Sequence, residues 1–426
     1  MVRLKEHKTE TEDKAIEKAP LPSRVYIPLS QHLGKICNPL VKIGDVVFTG
    51  QKIASVDAHV YSPIHASVSG KVASIQDWPH PILGQCKAIV IESDGLDSHQ
   101  PSAISHQPEE IDRLTAEQIR NIVFEAGVVG MGGASFPTHI KLNPPQPVET
   151  LIINGAECEP YLTGDYRLMI EKAEEILRGI KLVEKCLGVK KVYIAIEDNK
   201  PEAIKSFSHE LRAKSYELKI LKSQYPQGGE KQLIKNILGK EVPSAKLPFD
   251  IGVVVHNVAT VFAIYEAVYM NKALYERVVT VTGSLLASPK NLLVRIGTPI
   301  KELIEFCSPL KEEPSKIIIG GPMMGIAQFT DEVPVIKSTT GVVLLNEKEA
   351  NLQEEEFCIR CGACVRVCPV GLMPCLINLA SEKEMWTEAR AYKAVDCIEC
   401  GLCNYVCPAN RTLTQSIKRA KLEVSK

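Results

Sequence analysis

Cys358-Ile-Arg-Cys361-Gly-Ala-Cys364-Val-Arg-Val-Cys368-Pro369 and, further on, Cys397-Ile-Glu-Cys400-Gly-Leu-Cys403-Asn-Tyr-Val-Cys407-Pro408 are two copies of one pattern. Three thiolates so spaced wrap one [4Fe-4S] cubane corner by corner, while the fourth, followed by proline, leaves toward a second cluster. Ligation is therefore expected to cross between the runs. One cluster falls to Cys358, Cys361, Cys364 and Cys407, the other to Cys397, Cys400, Cys403 and Cys368. Structural zinc is the competing reading, since Cys-x-x-Cys pairs also bind zinc, but a tetrahedral site has no use for the third and fourth cysteines in this order.

Between the runs, Leu372 to Val395 is dominated by Ala, Leu, Glu and Lys and contains no Gly. It is predicted helical, so residues 347–426 are expected to form an α-helical two-cluster ferredoxin domain rather than the small β-containing kind. The chain has fourteen cysteines in all, and the six outside the runs (Cys37, Cys86, Cys158, Cys186, Cys307, Cys375) show no pairing pattern. Metal rather than disulfides accounts for the cysteine content.

Working outward, 426 residues with 45% hydrophobic and 24% charged positions suffice for about three domains with buried cores. A net charge of -1 with intermixed signs gives no basic face for nucleic acid and no polybasic tract for anionic lipid. The most apolar stretch, Ile251 to Met270, is interrupted by His256, Asn257 and Glu266, too polar for a helix that needs about 20 apolar residues to cross a bilayer. Met1 to Lys18 is charged with both signs and lacks the apolar core of roughly 7–15 residues that marks a secretory signal. The expectation is a cytoplasmic chain whose membrane association, if any, is peripheral.

After a charged tail over residues 1–24, residues 25–99 show short alternating apolar runs punctuated by glycine, among them Val41-Lys-Ile-Gly44-Asp-Val-Val and Ser62-Pro-Ile-His-Ala-Ser-Val-Ser-Gly70. The pattern is similar to the barrel-sandwich fold of lipoyl and biotinyl domains. The hairpin tip, however, offers Asp57-Ala58 and no lysine to carry a prosthetic group, so a structural or docking role is expected, with His59 and His65 as surface or packing residues. Residues 100–115 are rich in Pro, Ser, Glu and Asp and are predicted to be a linker.

Residues 116–270 carry the patterns of an α/β domain. Thr150-Leu-Ile-Ile-Asn154, Lys190-Lys-Val-Tyr-Ile-Ala-Ile-Glu197 and Ile251-Gly-Val-Val-Val-His256-Asn257 are predicted strands, with Ile170 to Leu187 and Pro201 to Ala213 as helices. Gly127-Val-Val-Gly130-Met-Gly132-Gly133-Ala134-Ser135-Phe136-Pro137 places glycines where backbone must approach another group. Such a loop is an anion nest suited to a phosphate, or a tight turn. Asn154, Glu157 and Glu159 close one strand, and polar groups at carboxyl ends line the crevice of open α/β sheets.

Longer motifs carry a family resemblance: Ile27-Pro-Leu-Ser-Gln-His32, Gly130-Met-Gly-Gly-Ala-Ser-Phe-Pro-Thr-His-Ile-Lys-Leu142, Asn154-Gly-Ala-Glu-Cys-Glu-Pro-Tyr161, Tyr225-Pro-Gln-Gly-Gly-Glu-Lys-Gln232, Val255-His-Asn-Val-Ala-Thr260 and Gly320-Gly-Pro-Met-Met-Gly325. From about Pro20 onward the chain resembles the RnfC family, also called RsxC, whose members belong to the Rnf complex, the membrane-bound ferredoxin:NAD oxidoreductase. The central domain of that family is similar to the flavin-bearing NADH-binding subunit of respiratory complex I. The resemblance implies that Gly130, Gly132, Gly133 and Lys141 contact FMN phosphate and ring, that Asn154 and Glu157 lie beside the isoalloxazine, and that Glu159 lies near the nicotinamide. It further implies Gly229 and Glu230 on the flavin's far side, Asn257 with Thr260 at the phosphate, and Phe136 as a stacking residue. Two positions depart from the pattern: Ser135 stands where the family usually has Gly, and Ala156 where the complex I subunit has an acid. The family also implies an SLBB β-grasp module over residues 271–346, with a rigid spacer as the plain alternative.

The expected whole is a multidomain α/β protein carrying two [4Fe-4S] clusters, FMN and a site for NAD(H). FMN links a hydride donor to one-electron carriers, and no residue need act as general acid or base, hydride transfer being positioned by Glu157 and Glu159. The implied partners are the integral-membrane and ferredoxin-like B subunits of an Rnf complex at the cytoplasmic face of the membrane, with Na+ or H+ translocation. A soluble flavo-iron-sulfur reductase (for cobalamin, or as an electron donor to a reductase) and a flavin-less iron-sulfur relay are the alternatives.

Overall fold

The computed structural model describes residues 2–99, 108–211, 216–350 and 353–425. Near-continuous apolar runs such as Leu151-Ile-Ile153 and Val253-Val-Val255 suit strands covered on both faces, and they form a four-stranded parallel sheet. Its order is Glu217–Leu221, Lys191–Glu197, Thr150–Gly155, Val253–Asn257. Alternate side chains serve two cores. Ile153, Ile194 and Val254 meet Val123, Ile180 and Ile264, while Ile152, Ala195 and Val255 meet Leu233 and Ile234 of the helix Glu230–Leu238. Because the order in sequence is third, second, first, fourth, connections diverge between Thr150–Gly155 and Val253–Asn257, and a crevice opens at their carboxyl ends. Asn154 and Asn257 are partners in register there.

The predicted helix from Ile170 is two helices, Gly164–Glu171 and Ala173–Leu187, parted where Lys172 leaves helical geometry (φ -133, ψ 30). That predicted over Pro201 to Ala213 spans Pro201–Glu210, and Arg212 and Ala213 lie outside the described residues. In the stretch read as a linker, residues 100–107 also lie outside them, but Pro108–Arg113 is helical, with Ile111 buried in the α/β core. Proline is tolerated at a first helical position because its missing N-H would be unpaired there anyway.

The front module packs a four-stranded and a three-stranded antiparallel sheet around Val25, Ile27, Val47, Ile53, Val72 and Ile89. His59 is exposed and His65 buried. The next module is a six-stranded mixed sheet, order Ile16–Lys18, Lys290–Arg295, Glu276–Thr282, Gly341–Leu345, Lys316–Ile319, Ile326–Gln328, with the helix Ile300–Phe306. Its first strand comes from the N-terminus. Residues 2–18, read as a charged tail, instead run over the α/β domain and end paired in parallel with Asn291–Leu293. Charge patterning does not register this, because the segment is held by backbone pairing and scattered side-chain contacts, among them Lys8, Lys14 and the His7 ring, rather than by a periodic apolar face.

The C-terminal domain is helical, with no strand among its described residues. The predicted 372–395 helix is broken into Pro374–Glu382 and Trp386–Ala391, with Glu384 between them in the left-handed region (φ 55).

Candidate functional site

The glycine loop is closed by Gly130 N donating to Phe136 O (2.9 Å) and anchored by Met131 N donating to Thr260 Oγ1 (2.9 Å). Asn257 caps the helix Val258–Tyr269: its Oδ1 accepts from Ala259 N and Thr260 N, and its Nδ2 donates to Asp165 Oδ2 at 2.6 Å. Gly132 rides directly on this cap, since a Cβ there would stand 2.8 Å from the Asn257 amide, whereas one on Gly133 would meet no atom within 4 Å. The loop, Asn257 and Thr260 are thus brought together at the switch point. Ser135 adopts φ 54, a left-handed conformation that glycine takes without strain, in keeping with the glycine that the resemblance implies there. The ring of Phe136 is half-buried.

On the other side of the crevice, Lys141 Nζ and Glu230 Oε1 pair at 2.6 Å, each about one-third exposed. Asn154 Nδ2 donates to Gly228 O (2.9 Å) and its Oδ1 accepts from Ala156 N (3.1 Å). Gly228, next to Gly229, is a position where only glycine fits, a Cβ there standing 2.6 Å from Ala156 O. Gly229 is the cap residue before Glu230–Leu238. The Glu157 carboxylate accepts from Asp165 N (2.8 Å) and Tyr166 N (3.2 Å), as expected of an anion at a helix N-terminus. Glu159 accepts from Met323 N (3.1 Å) and Met324 N (2.8 Å), and burial pushes its pKa up to about 7 against the pull of those amides. Asp165 is likewise raised to about 7, by burial and then by Glu157.

The arrangement fits a phosphate-bearing aromatic cofactor. Gly133 is open, Lys141 supplies a cation, and His256, buried beside Lys141, keeps an Nε2 with no partner among the described residues. Burial first, and Lys141 second, hold that imidazole neutral.

All fourteen cysteines are free. A pocket is lined by Cys368 of the first run together with Cys397, Cys400 and Cys403 of the second. Among the described residues no three His, Cys, Asp or Glu side chains converge as around a single ion; these four line a cavity instead, which suits a cubane. In the remaining set Cys358 and Cys361 are exposed and Cys364 buried, and Glu356 N donating to Ala409 O (3.0 Å) lays the start of the first run beside the end of the second. The runs repeat in backbone as in sequence: Arg360 and Gly362 (φ 57, 73) match Glu399 and Gly401 (φ 58, 75).

The cavity abuts the α/β domain. Tyr225 OH donates to Cys400 O (2.8 Å) and lies 3.5 Å from Glu159 Oε1, and Gln232 Nε2 donates to Pro369 O (3.2 Å). A Cβ on Gly401 would stand 2.5 Å from Met323 O. Sequence reasoning missed Tyr225, Met323 and Met324 as site residues although each stands in a quoted motif. It had no signal for Lys8, whose Nζ donates to Glu157 O and Leu162 O, both at 2.6 Å.

Four family models match in order along the chain: the RnfC barrel sandwich hybrid domain (residues 2–96), the Nuo51 FMN-binding domain (123–266), the SLBB domain (278–327) and the 4Fe-4S dicluster domain (357–411). The C subunit of the proton-translocating ferredoxin:NAD(+) oxidoreductase complex of Clostridium ljungdahlii is 47% identical over 97% of this chain and 91% of its own. Its Na(+)-translocating counterpart from Acetobacterium woodii is 46% identical over 95% and 91%. The chain belongs to the RnfC family. Another relative, the C subunit of the ion-translocating oxidoreductase complex of Rhodobacter capsulatus, is 45% identical over 87% of this chain and 72% of its own. Crystal structures of an NAD+-reducing [NiFe]-hydrogenase, air-oxidized and H2-reduced, share the fold at TM-scores of 0.50 and 0.51, with 20% and 17% identity, covering 68% and 77% of this chain and 56% and 68% of theirs. In this RnfC-family chain the FMN-binding and dicluster domains are the two just described. No helix among the described residues is long and apolar enough to cross a membrane, and the apolar stretch at 251–270 forms a strand and a helix of the α/β domain.

Proposed function

We propose that this chain carries electrons between NAD(H) and an ion-translocating ferredoxin:NAD+ oxidoreductase complex, in the order NAD(H), FMN, the cluster on Cys368, Cys397, Cys400 and Cys403, then the cluster on Cys358, Cys361, Cys364 and Cys407. FMN supplies the exchange between a two-electron hydride and one-electron carriers. Gly132, Gly133 and the Asn257–Thr260 cap receive its phosphate, Lys141 and Glu230 border the ring, and Asn154 with Gly228 fixes the wall it lies against. Glu159, Met323 and Met324 join the nicotinamide side to the SLBB module.

One contact carries the order: Tyr225 OH to Cys400 O at 2.8 Å puts the inner cavity against the flavin-side motif, while Cys358 and Cys361 are exposed at the other end. Phe357 and Ile359, 93% and 66% exposed, flank that outer end. The membrane-integral and ferredoxin-like subunits of the complex are met there, at the cytoplasmic face.

Anaerobic reconstitution of the full chain tests this reading. About eight irons, one FMN and bleaching by NADH are expected; eight irons with no flavin and no response to NADH would leave only a relay. Cys397→Ala is expected to leave the outer cluster oxidised after NADH addition, and Cys358→Ala to leave the inner one reducible. Outer-cluster reduction at the wild-type rate in C397A overturns the order.

A further inference from the structure

Residues 2–8 cross the carboxyl ends of three of the four parallel strands. Val2 and Tyr225 exchange backbone hydrogen bonds (3.0 and 2.7 Å), Tyr161 N donates to Glu6 O (2.8 Å), and Asn199 Nδ2 donates to Glu6 Oε2 (2.8 Å). The His7 ring stacks on Tyr161 with centroids 4.6 Å apart. The strap thus joins the loop after Thr150–Gly155, which carries Glu157 and Glu159, to the loop after Glu217–Leu221, which carries Tyr225, Gly228 and Gly229. Beside it lies a pocket lined by Glu6, Lys8, Glu157, Glu197, Gln224 and Tyr225, among others.

Lys8 is the centre of this arrangement. It is only 4% exposed, and its ammonium donates to the carbonyls of Glu157 and Leu162, the two ends of the loop that holds both acids. Burying an ammonium is costly unless it is paired and hydrogen-bonded. Burial and Lys200 lower its pKa, and Glu157 and Glu197 hold the charge in place.

We infer that Lys8 is a positioning residue of the flavin and nicotinamide site, setting the height of Glu157 and Glu159 over the crevice by fastening both ends of their loop. The inference rests on the function proposed above. It makes the N-terminal strap part of the α/β site rather than of the barrel-sandwich module that follows it.

The test uses the full reconstituted chain, reading FMN Kd by fluorescence quenching, the KM and kcat of NADH oxidation with an artificial acceptor, and far-UV circular dichroism. Lys8→Met is expected to raise FMN Kd and KM for NADH about tenfold or more, in line with the cost of small misplacements, with unchanged dichroism and cluster spectra. Lys8→Arg, which keeps the charge and the donors, is expected to recover most of the loss. Lys14→Ala, in the N-terminal segment that continues the strap but bonded to Pro289 O (2.9 Å) away from the crevice, is expected to match wild type. Wild-type constants in K8M overturn the inference, and so do equal losses in K8M and K14A, which would make the strap a general brace. Should K8M not fold, Lys8→Gln, a neutral donor to one of the two carbonyls, is read by the same criteria. If the wild-type chain binds no FMN, the proposed function falls and this inference with it; if it binds FMN and K8M matches it, this inference alone falls.

Discussion

Two buried ionisable groups at domain junctions titrate with opposite effects. Burial raises Glu159 to about 7 from 4.5, so between those values the folded chain binds a proton that the unfolded chain has lost. Stability from this group therefore falls as pH rises from about 4.5 to 7 and is flat above, by at most about 3 kcal/mol. Glu159→Gln is expected to melt progressively higher than wild type across that window, and parallel melting curves would show that the carboxyl is not enclosed. Lys337 is the reverse case. Its Nζ donates to Pro63 O (2.7 Å) and Gly127 O (2.6 Å), joining three domains, and burial pushes it down to about 7 from 10.5. Here the unfolded chain holds the extra proton, so stability rises with pH from about 7 to 10, and Lys337→Met is expected to abolish that rise in melting temperature. Neither role was legible in the sequence. Glu159 was assigned by resemblance to the nicotinamide, and only the folded chain brings Met323 and Met324 onto it; Lys337 stands in no motif.

The same limit shows in whole elements. Three of the four parallel strands and the cysteine runs were readable because burial and ligation dictate residue types at fixed spacing, whereas the edge strand Glu217–Leu221, of which only Leu221 is buried, carries no such pattern. The strap was not readable, because backbone pairing and isolated contacts by Glu6, His7 and Lys8 leave no periodic pattern in side chains. Gly320-Gly-Pro-Met-Met-Gly325 was conspicuous, but its reason is tertiary: a Cβ on Gly321 would stand 2.2 Å from Glu159 Oε2, and one on Gly325 2.3 Å from Gly321 O. The glycine loop allows the two demands on a glycine to be separated. Gly132→Ala is expected to lower both melting temperature and FMN affinity, because its Cβ would displace the Asn257 cap, worth about 1 kcal/mol. Gly133→Ala meets no protein atom within 4 Å, so melting should hold while FMN Kd rises. An unchanged Kd in G133A would mean that the open side of the loop is not where the phosphate sits.

Across the molecule, the order of the modules was legible from their motifs, whereas which cluster faces the flavin depends on how the helical domain docks. The docking makes the two clusters unequal toward oxygen. In the proposed outer set Cys358 and Cys361 are exposed, while in the proposed inner set Cys400 and Cys403 are 8% and 9% exposed and Cys400 packs with Leu402, Tyr225 and Met323. Exposed thiolates and sulfides are the ones oxidants reach, so brief air exposure is expected to remove the outer cluster first, iron falling from about eight to about four per chain. The surviving paramagnetic signal after reduction identifies itself. It should shift in Tyr225→Phe, which loses the hydrogen bond to Cys400 O, because bonds around a cluster tune its electronics; it should be absent in C397A and persist in C358A. A survivor indifferent to Y225F and lost in C358A would place the protected cluster at the opposite end and reverse the path through the subunit.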